Sequence, residues 1–191
     1  MNEADERYST AEEAIIDAFF LLAGEKDFNK ISVSDVQKKA GVVRSTFYNH
    51  YENMPALITA AEDKTIQDIF AMMEDFHPKN DKEICKSYFL AICNYTKSNP
   101  FLANLLESAR GDSFFEKAMT MFHRYVKDVT DTAPGQTGSK EEFSFLIAGT
   151  IGCAIGILHK WILENYKTPP SEVALILAKI FLGGVYPYMN L

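Results

Sequence analysis

The sequence has few of the features that mark an enzyme, a secreted protein or a metalloprotein. Its 191 residues include three cysteines, Cys85, Cys93 and Cys153, with no CxxC spacing, so neither a disulfide framework nor a zinc site is indicated. We interpret all three as small buried hydrophobic residues in a reducing compartment. The sequence also lacks a nucleophile elbow, a P-loop, an HExxH motif and a GxGxxG motif after a strand. We therefore expect no enzymatic activity, no metal and no cofactor.

Features of β-proteins and of membrane proteins are missing as well. The sequence shows no strand-like alternation, internal repeat or low-complexity tract, and its first ten residues are too polar for a signal peptide. The most apolar segment, residues 143–158, is shorter than the ~20 residues that span a bilayer. We expect a cytoplasmic, all-α protein without a membrane segment. Besides the motif described next, helices are predicted over residues 10–24, 53–76, 82–98, 101–109, 113–131, 140–166 and 171–188.

The most informative segment is residues 31–51, ISVSDVQKKAGVVRSTFYNHY. Ser32 and Asp35 stand three apart, which is the spacing of a capping box at a helix N-terminus. Gly41 follows the end of that helix, where the backbone must turn left-handed. A second short helix begins after Val43, and Phe47 on it should face the core. Two helices joined by a short glycine turn form the helix-turn-helix unit, whose second helix enters the DNA major groove.

Residues 11–57 resemble the N-terminal DNA-binding domain of TetR-type transcriptional regulators. The resemblance lies in the apolar first helix (AIIDAFFLLAGEKDF) and in the motifs ISVSDV, KAGV and STFYNHY. The segment FLIAGTIGCAIGILHKWILEN is similar to C-terminal domains in one branch of the family. The resemblance implies a three-helix DNA-binding domain, residues 1–53, followed by a larger helical domain for effector binding and dimerisation, residues 54–191. About nine helices are expected.

The net charge of −7 is by itself unfavourable for binding DNA, but affinity depends on where the basic groups lie. Residues 26–50 contain five basic and two acidic side chains, a local charge of +3. The second helix of the motif and its surroundings supply the predicted contacts. Arg44 suits a guanine edge or a phosphate, although a solvated surface charge is the alternative, and Asn49 suits adenine or phosphate. The full predicted set is Lys30, Ser32, Ser34, Arg44, Ser45, Thr46, Tyr48, Asn49 and His50.

The family resemblance implies that Thr46, Tyr48 and His50 touch the DNA backbone. This sequence departs from the family pattern at two positions. Val43 replaces the serine or threonine that often caps the recognition helix, and Met54 replaces a lysine that often binds phosphate. Both changes weaken the predicted affinity. From the charge distribution we expect a modest affinity that depends strongly on salt.

Aromatic and polar residues in the C-terminal part suggest an effector pocket, because ligand sites combine an apolar cleft with a few polar groups. The alternative is that these aromatic residues form an ordinary core. Ala148, Gly152 and Gly156 recur at spacing four, with Gly149 beside them, which predicts a helix that a second helix approaches closely. Packing within one chain is the alternative to a dimer interface there. The predicted pocket residues are Phe89, Tyr95, Phe101, Arg110, Phe122, Tyr125, His159 and Trp161.

These predictions combine into one functional hypothesis. The chain would act as a homodimeric repressor that binds a palindromic DNA operator and is released by an unknown small-molecule effector. In the alternative hypothesis, the C-terminal domain binds a partner protein instead of a small ligand.

Overall fold

The computed structural model describes residues 3–74, 82–132 and 140–184, and within these ranges the chain is helical. This confirms the predicted all-α fold. A single 3-10 turn, Phe28–Lys30, lies between the first two helices. The α-helices of the described ranges are α1 (Glu3–Ala23), α2 (Val33–Ala40), α3 (Arg44–His50), α4 (Met54–Glu74), α5 (Lys82–Ser98), α6 (Pro100–Leu106), α7 (Gly111–Thr132), α8 (Lys140–Leu163) and α9 (Pro170–Gly183).

The chain divides into two compact units. Unit 1 comprises Met1–Gln67 and Asn99–Asn104, and unit 2 comprises Asp68–Ser98 and Leu105–Leu191. Helices α4 and α6 therefore each contribute residues to both units. The functional division between residues 53 and 54 stays a prediction.

The junction of α2 and α3 has the local structure that the sequence predicts. The Ser32 hydroxyl accepts a hydrogen bond from the Asp35 amide at 3.3 Å, and the Asp35 carboxylate accepts one from the Ser32 amide at 2.9 Å. These two bonds complete a capping box. Gly41 ends α2 with a φ of 68°, in the left-handed region. The Gly41 turn sets the direction in which α3 leaves α2.

The core of unit 1 forms around one face of α1. Ile15, Ala18, Phe19 and Leu22 on that face are buried, as predicted. Helix α1 begins at Glu3, well before the predicted start at residue 10. Residues 3–9 therefore add two further turns to the helix.

Phe101 belongs to the core of unit 1. Its ring meets Phe19 and Phe28 edge to face, with centroid separations of 5.2 and 5.3 Å, and its side chain is fully buried. The amide of Asn104 in the same segment donates to the carbonyl of Ala23 at 3.2 Å. This core position differs from the predicted role of Phe101 in an effector pocket. Long-range packing by a short segment leaves no periodic signal in the sequence.

The core of unit 2 is formed mainly by α5, α8 and α9. Its buried residues include Phe89 and Cys93 from α5, Trp161 from α8, and Leu177 from α9. Burial raises the pKa of both the Cys85 and the Cys93 thiols to about 11, so these thiols stay protonated at neutral pH. Cys153 is exposed on α8, which corrects the expectation that all three cysteines are buried.

Helix α8 ends at Leu163, whereas the sequence predicted residue 166. Asn165 and Tyr166 adopt φ values of 52° and 56°, and consecutive left-handed residues cannot continue a right-handed helix. The turn is held by the Trp161 indole, which donates to the Thr168 carbonyl at 2.7 Å. The intervals between the predicted helices at residues 77–81 and 132–139 lie outside the described residues, apart from residue 132. No helix in the described part of the chain is long and apolar enough to cross a bilayer.

The capping box gives a direct stability prediction. Ser32→Ala removes a hydroxyl that accepts the Asp35 amide, and loss of such a cap costs about 1 kcal/mol. Ser34→Ala is the matched control, because Ser34 is exposed within the same helix and alanine is the better helix former. Chemical denaturation should show a lower free energy of unfolding for Ser32→Ala alone. Equal losses in both variants would contradict the role of the cap.

Candidate nucleic-acid interface

Helix α3 presents its polar side chains to solvent. Phe47 is fully buried and meets the rings of Tyr48 and Tyr51 at 5.5 and 6.0 Å, so it fixes the rotation of the helix about its axis. With Phe47 directed inward, the remaining side chains must lie toward the outside. Exposed side chains are those of Arg44, Ser45, Tyr48 and Asn49, while Thr46 and His50 are half-buried.

The N-terminus of α3 has no side-chain cap. Val43 occupies the capping position, makes no side-chain hydrogen bond to the helix, and is 67% exposed. The absence of this bond follows from the residue type, because valine has no acceptor atom. The first turn of α3 is therefore held by its neighbours rather than by its own cap.

Arg44 is held in place by Tyr48, one turn further along α3. The guanidinium donates to the Tyr48 hydroxyl at 3.3 Å and lies 5.3 Å from the centre of the Tyr48 ring. Such a cation–π contact restricts the arginine side chain on the exposed surface. Two of the predicted DNA-contacting residues thus form one preorganised pair.

Ion pairs reduce the positive charge around the motif. Lys26 pairs with Asp35 at 2.8 Å, and Lys39 pairs with Glu25 at 2.8 Å. The hydrogen bond from Lys26, followed by those from Ser32, holds the pKa of the Asp35 carboxyl well below its usual range. The local charge of +3 counted Asp35 but omitted Glu25, which lies one residue before the counted window.

Three basic residues of this window, Lys30, Lys38 and Arg44, make no ion pair with any described residue. All three are exposed. Among the other predicted contacts, Ser34 is exposed, whereas the Ser32 hydroxyl donates to the Asp35 carboxylate at 2.8 Å. Few cations therefore remain to contact DNA phosphates, so an interface with DNA here would be confined to a small part of the surface.

The C-terminal end of α3 is attached to α1 by contacts that the sequence analysis missed. The Tyr8 hydroxyl donates to the Asn49 carbonyl at 3.2 Å, and the Tyr8 ring stacks on His50 with a centroid separation of 3.9 Å. One turn along α1, Glu12 accepts a hydrogen bond from the Tyr51 hydroxyl at 3.4 Å. The spacing of Tyr8 and Glu12, four residues apart and in register with Ile15 and Phe19, was the available signal.

The predicted effector residues whose side chains are described lie in different environments, and their common role stays a prediction. Phe89 and Trp161 are packed together in the core of unit 2. The Tyr95 hydroxyl donates to the Asp68 carboxylate at 3.1 Å, and Arg110 and His159 are half-buried. Phe122 and Tyr125 lie on α7, but their side chains are outside the described part of the structure.

An open hollow of about 570 Å³ lies beside the turn between α8 and α9. None of the predicted pocket residues lines it. The lining residues are Glu164, Lys167, Thr168, Pro169 and Glu172.

Helices α8 and α9 carry a set of apolar positions that are exposed or, at Gly152, half-buried. A Cβ atom added to Gly149, Gly152 or Gly156 would meet no atom of the described part of the chain within 4 Å, apart from its own neighbours in the helix. Ala148, which precedes Gly152 and Gly156 in the series predicted at spacing four, is half-buried. We call the following residues the apolar set of α8 and α9: Phe145, Gly149, Gly152, Gly156, Leu163, Leu175 and Ile176, of which Phe145 is 75% exposed.

Comparison with known proteins identifies the family. The family model described as bacterial regulatory proteins of the tetR family matches residues 15–61. The model of a TetR-type transcriptional regulator C-terminal region matches residues 83–183, more than half of the chain. The chain belongs to the TetR family. Members of this family are DNA-binding transcription regulators and not enzymes. This confirms the predicted family and the prediction that the chain is not an enzyme.

One curated relative is an uncharacterized HTH-type transcriptional regulator, YxbF of Bacillus subtilis strain 168. It is 29% identical over 190 residues, an alignment that covers 94% of this chain and 46% of the relative. The chain therefore spans about half the length of the curated relative it matches.

Two solved structures share the TetR fold with this chain. The dihydroxyacetone kinase operon activator DhaS has a TM-score of 0.68 at 17% identity, covering 93% of this chain and 97% of DhaS. The transcriptional regulator FadR from Bacillus subtilis, in complex with stearoyl-CoA, has a TM-score of 0.59 at 17% identity, covering 91% and 96% of the two chains. At these identities the likeness shows the fold alone.

The exposed Arg44–Tyr48 pair leads to a prediction for DNA binding. Arg44→Ala should weaken binding to a specific duplex about tenfold or more, because a guanidinium contact to a base is worth about 1–3 kcal/mol. Fluorescence anisotropy at several salt concentrations measures the loss. A change in the salt dependence would indicate a phosphate contact, and an unchanged salt dependence would indicate a base contact.

Lys39→Ala is the control for this experiment, because it removes the same charge from a side chain that Glu25 already engages. Its effect on affinity should be clearly smaller than that of Arg44→Ala. Equal losses would mean that α3 exerts only a general electrostatic effect and does not contact the duplex through Arg44.

Proposed function

We propose that this TetR-family chain acts as a homodimer that binds a pseudo-palindromic operator with the exposed surface of α3. The observation that carries the proposal is the division of α3 into a buried anchor, Phe47, and an exposed polar surface that includes Arg44, Ser45, Tyr48 and Asn49. A helix anchored through one aromatic residue can enter the major groove without unfolding its own core.

The predicted contacts fall into two groups, those to base edges and those to phosphate oxygens. Arg44 and Asn49 have side chains that can bond to base edges, guanine and adenine respectively. Ser45, Thr46, Tyr48 and His50 offer single donors that suit phosphate oxygens. Lys30 and Ser34 are exposed beside the motif and would extend the phosphate contacts. One recognition helix makes few such contacts, so two copies are needed for a specific site.

The apolar set of α8 and α9 supports a second copy of this chain as the dimer partner. Its glycines have open space around them within one chain, and exposed apolar residues flank them. Glycine permits close approach of another helix backbone. A two-fold interface uses the same surface on both protomers, so this one set of residues can serve both sides.

We further propose that the protein is a cytoplasmic repressor released by a small molecule. A ligand that favours one spacing of the two α3 helices would shift the population away from the operator-binding state, and a coupling of about 1–3 kcal/mol suffices. The chain passes between its two units within α4, between residues 98 and 99, and between residues 104 and 105. Pro55 and Met72 on α4 are therefore positions at which the coupling can be altered.

The structural relatives support a ligand-responsive regulator without fixing its direction. FadR of Bacillus subtilis holds stearoyl-CoA, whereas DhaS is an operon activator. Packing of Phe89 and Trp161 in the core of unit 2 favours the second candidate function, in which a partner protein binds this domain.

The proposed dimer and operator can be tested together by selecting duplexes from a random pool at a stated salt concentration. The unaltered protein should enrich inverted repeats whose half-sites lie about one helical turn apart. Gly152→Arg should yield monomers in size-exclusion chromatography with light scattering and should abolish this enrichment, because a charged side chain would enter the apolar interface.

Asn94→Arg is the control, since it places the same charge at an exposed position on α5. It should remain dimeric and select the same sequences. Enrichment of single half-sites by the unaltered protein, or a dimer that survives Gly152→Arg, would contradict the proposed arrangement.

The ligand proposal predicts that some hydrophobic compound raises the melting temperature and lowers operator affinity, because a ligand that binds only the folded state stabilises it. A thermal-shift screen followed by anisotropy measures both effects. Pro55→Ala or Met72→Ala should reduce the effect of the compound on operator affinity while leaving binding of the compound intact. A screen without any hit, together with co-purification of one specific protein, would support the partner-protein function instead.

A further inference from the structure

The last turn of α3 needs support from outside the helix. A helix leaves its final carbonyl groups without partners along its own backbone, and α3 is only seven residues long. Asn49 and His50 stand in that last turn, and both belong to the predicted DNA-contacting set. Their orientation therefore depends on whatever contacts them from the rest of unit 1.

Tyr8 supplies that support with two different interactions. Its hydroxyl donates to the Asn49 carbonyl at 3.2 Å, which satisfies one of the unpaired groups of the helix end. Its ring lies against the His50 imidazole at a centroid separation of 3.9 Å and an interplanar angle of 35°. Tyr8 nevertheless remains 50% exposed, so it forms part of the same surface rather than of the core.

The surroundings of the His50 ring determine which of its nitrogens can meet DNA. The Nδ1 atom is enclosed and makes no hydrogen bond to any described residue. A phosphate oxygen is an acceptor, so a neutral imidazole must carry its hydrogen on Nε2 in order to donate. With Nδ1 enclosed, Nε2 is the only ring nitrogen that can reach a phosphate.

A second contact fixes α1 against the residue that follows α3. The Tyr51 hydroxyl donates to Glu12 at 3.4 Å, and Tyr51 is itself buried. Tyr8 and Glu12 are four residues apart and so lie on one face of α1. The first turns of α1 are thereby aligned with the end of α3.

We propose that Tyr8 is a positioning residue of the DNA-binding surface, which holds His50 and the Asn49 backbone in the orientation that binds the operator phosphates. This inference rests on the proposed function of α3. It assigns a role to a residue outside the helix-turn-helix motif, in the part of α1 that precedes the predicted start of the helix.

Three variants test the role of Tyr8. Tyr8→Ala removes both interactions and should weaken operator binding about tenfold. Tyr8→Phe keeps the ring on His50 and should restore affinity to within about threefold of the unaltered protein. Ser9→Ala, an exposed neighbour on α1, should have no effect. If Tyr8→Ala binds as well as the unaltered protein, or if Tyr8→Phe is as weak as Tyr8→Ala, the proposal is overturned.

A double-mutant cycle separates positioning from direct contact. If Tyr8 acts through His50, Tyr8→Ala should have little further effect on operator affinity in a His50→Ala background. Losses that simply multiply would show that Tyr8 does not act through His50, and an unchanged affinity for His50→Ala would remove the group that Tyr8 is proposed to position. Either result overturns the proposal.

Hydrogen exchange of the free protein provides a readout that needs no DNA. The Tyr51 amide bonds to the Phe47 carbonyl at 2.9 Å, and its exchange should become faster in Tyr8→Ala but not in Ser9→Ala. Unchanged exchange would overturn the positioning role. If the unaltered protein binds no duplex above the nonspecific level, the proposed function itself fails. If Arg44→Ala weakens binding and Tyr8→Ala does not, only the present inference fails.

Discussion

The exposed polar surface of α3 depends on the burial of one side chain, Phe47. Seven residues are too few for a stable isolated helix in water, and α3 has no side-chain cap at Val43. Its stability must therefore come from packing. Phe47 is fully buried and in contact with Tyr48 and Tyr51, so one aromatic anchor both stabilises the helix and decides which residues face outward.

Electrostatics at the motif serve structure as well as binding. Lys26 forms an ion pair with Asp35 of the capping box, and Lys39 forms one with Glu25. Surface ion pairs of this kind contribute little to stability, but they remove two cations from the group that could attract DNA. The positive charge that remains is concentrated on a few residues of α2, α3 and the 3-10 turn, which is how an acidic chain can still present a basic recognition surface.

Much of unit 1 could be predicted because its signals are local. A capping box, a left-handed glycine and an apolar stripe all operate within a few residues, so Ser32, Asp35 and Gly41 reveal their roles in sequence. Contacts between distant segments leave no such local signal in the sequence. Phe101 joins the core from a helix far along the chain, and Tyr8 meets His50 across more than forty residues. Spacing can place Tyr8 on the same face of α1 as Ile15 and Phe19, but it identifies the partner of neither Tyr8 nor Phe101, because only the folded backbone brings these partners together.

Prediction was less informative in the C-terminal part because the same pattern of aromatic residues fits both a ligand pocket and an ordinary core. Phe89 and Trp161 occur where a ligand pocket or a core would both place aromatic residues, and the structure packs them in a core. The fold of unit 2 thus follows from apolar periodicity, whereas a binding cavity would depend on a small difference in packing. Residue type alone does not encode that difference.

The glycines of α8 differ from these aromatic residues because one chain alone gives no reason for them. Glycine inside a helix is less stable than alanine by about 1 kcal/mol at each position. At Gly149, Gly152 and Gly156 the space around a Cβ atom is open, so a methyl group would fit without a clash and would strengthen the helix. The proposed dimer would account for these glycines, because the missing side chains would let a helix of a second copy approach the α8 backbone closely. The cost within one protomer would then be offset by packing between protomers.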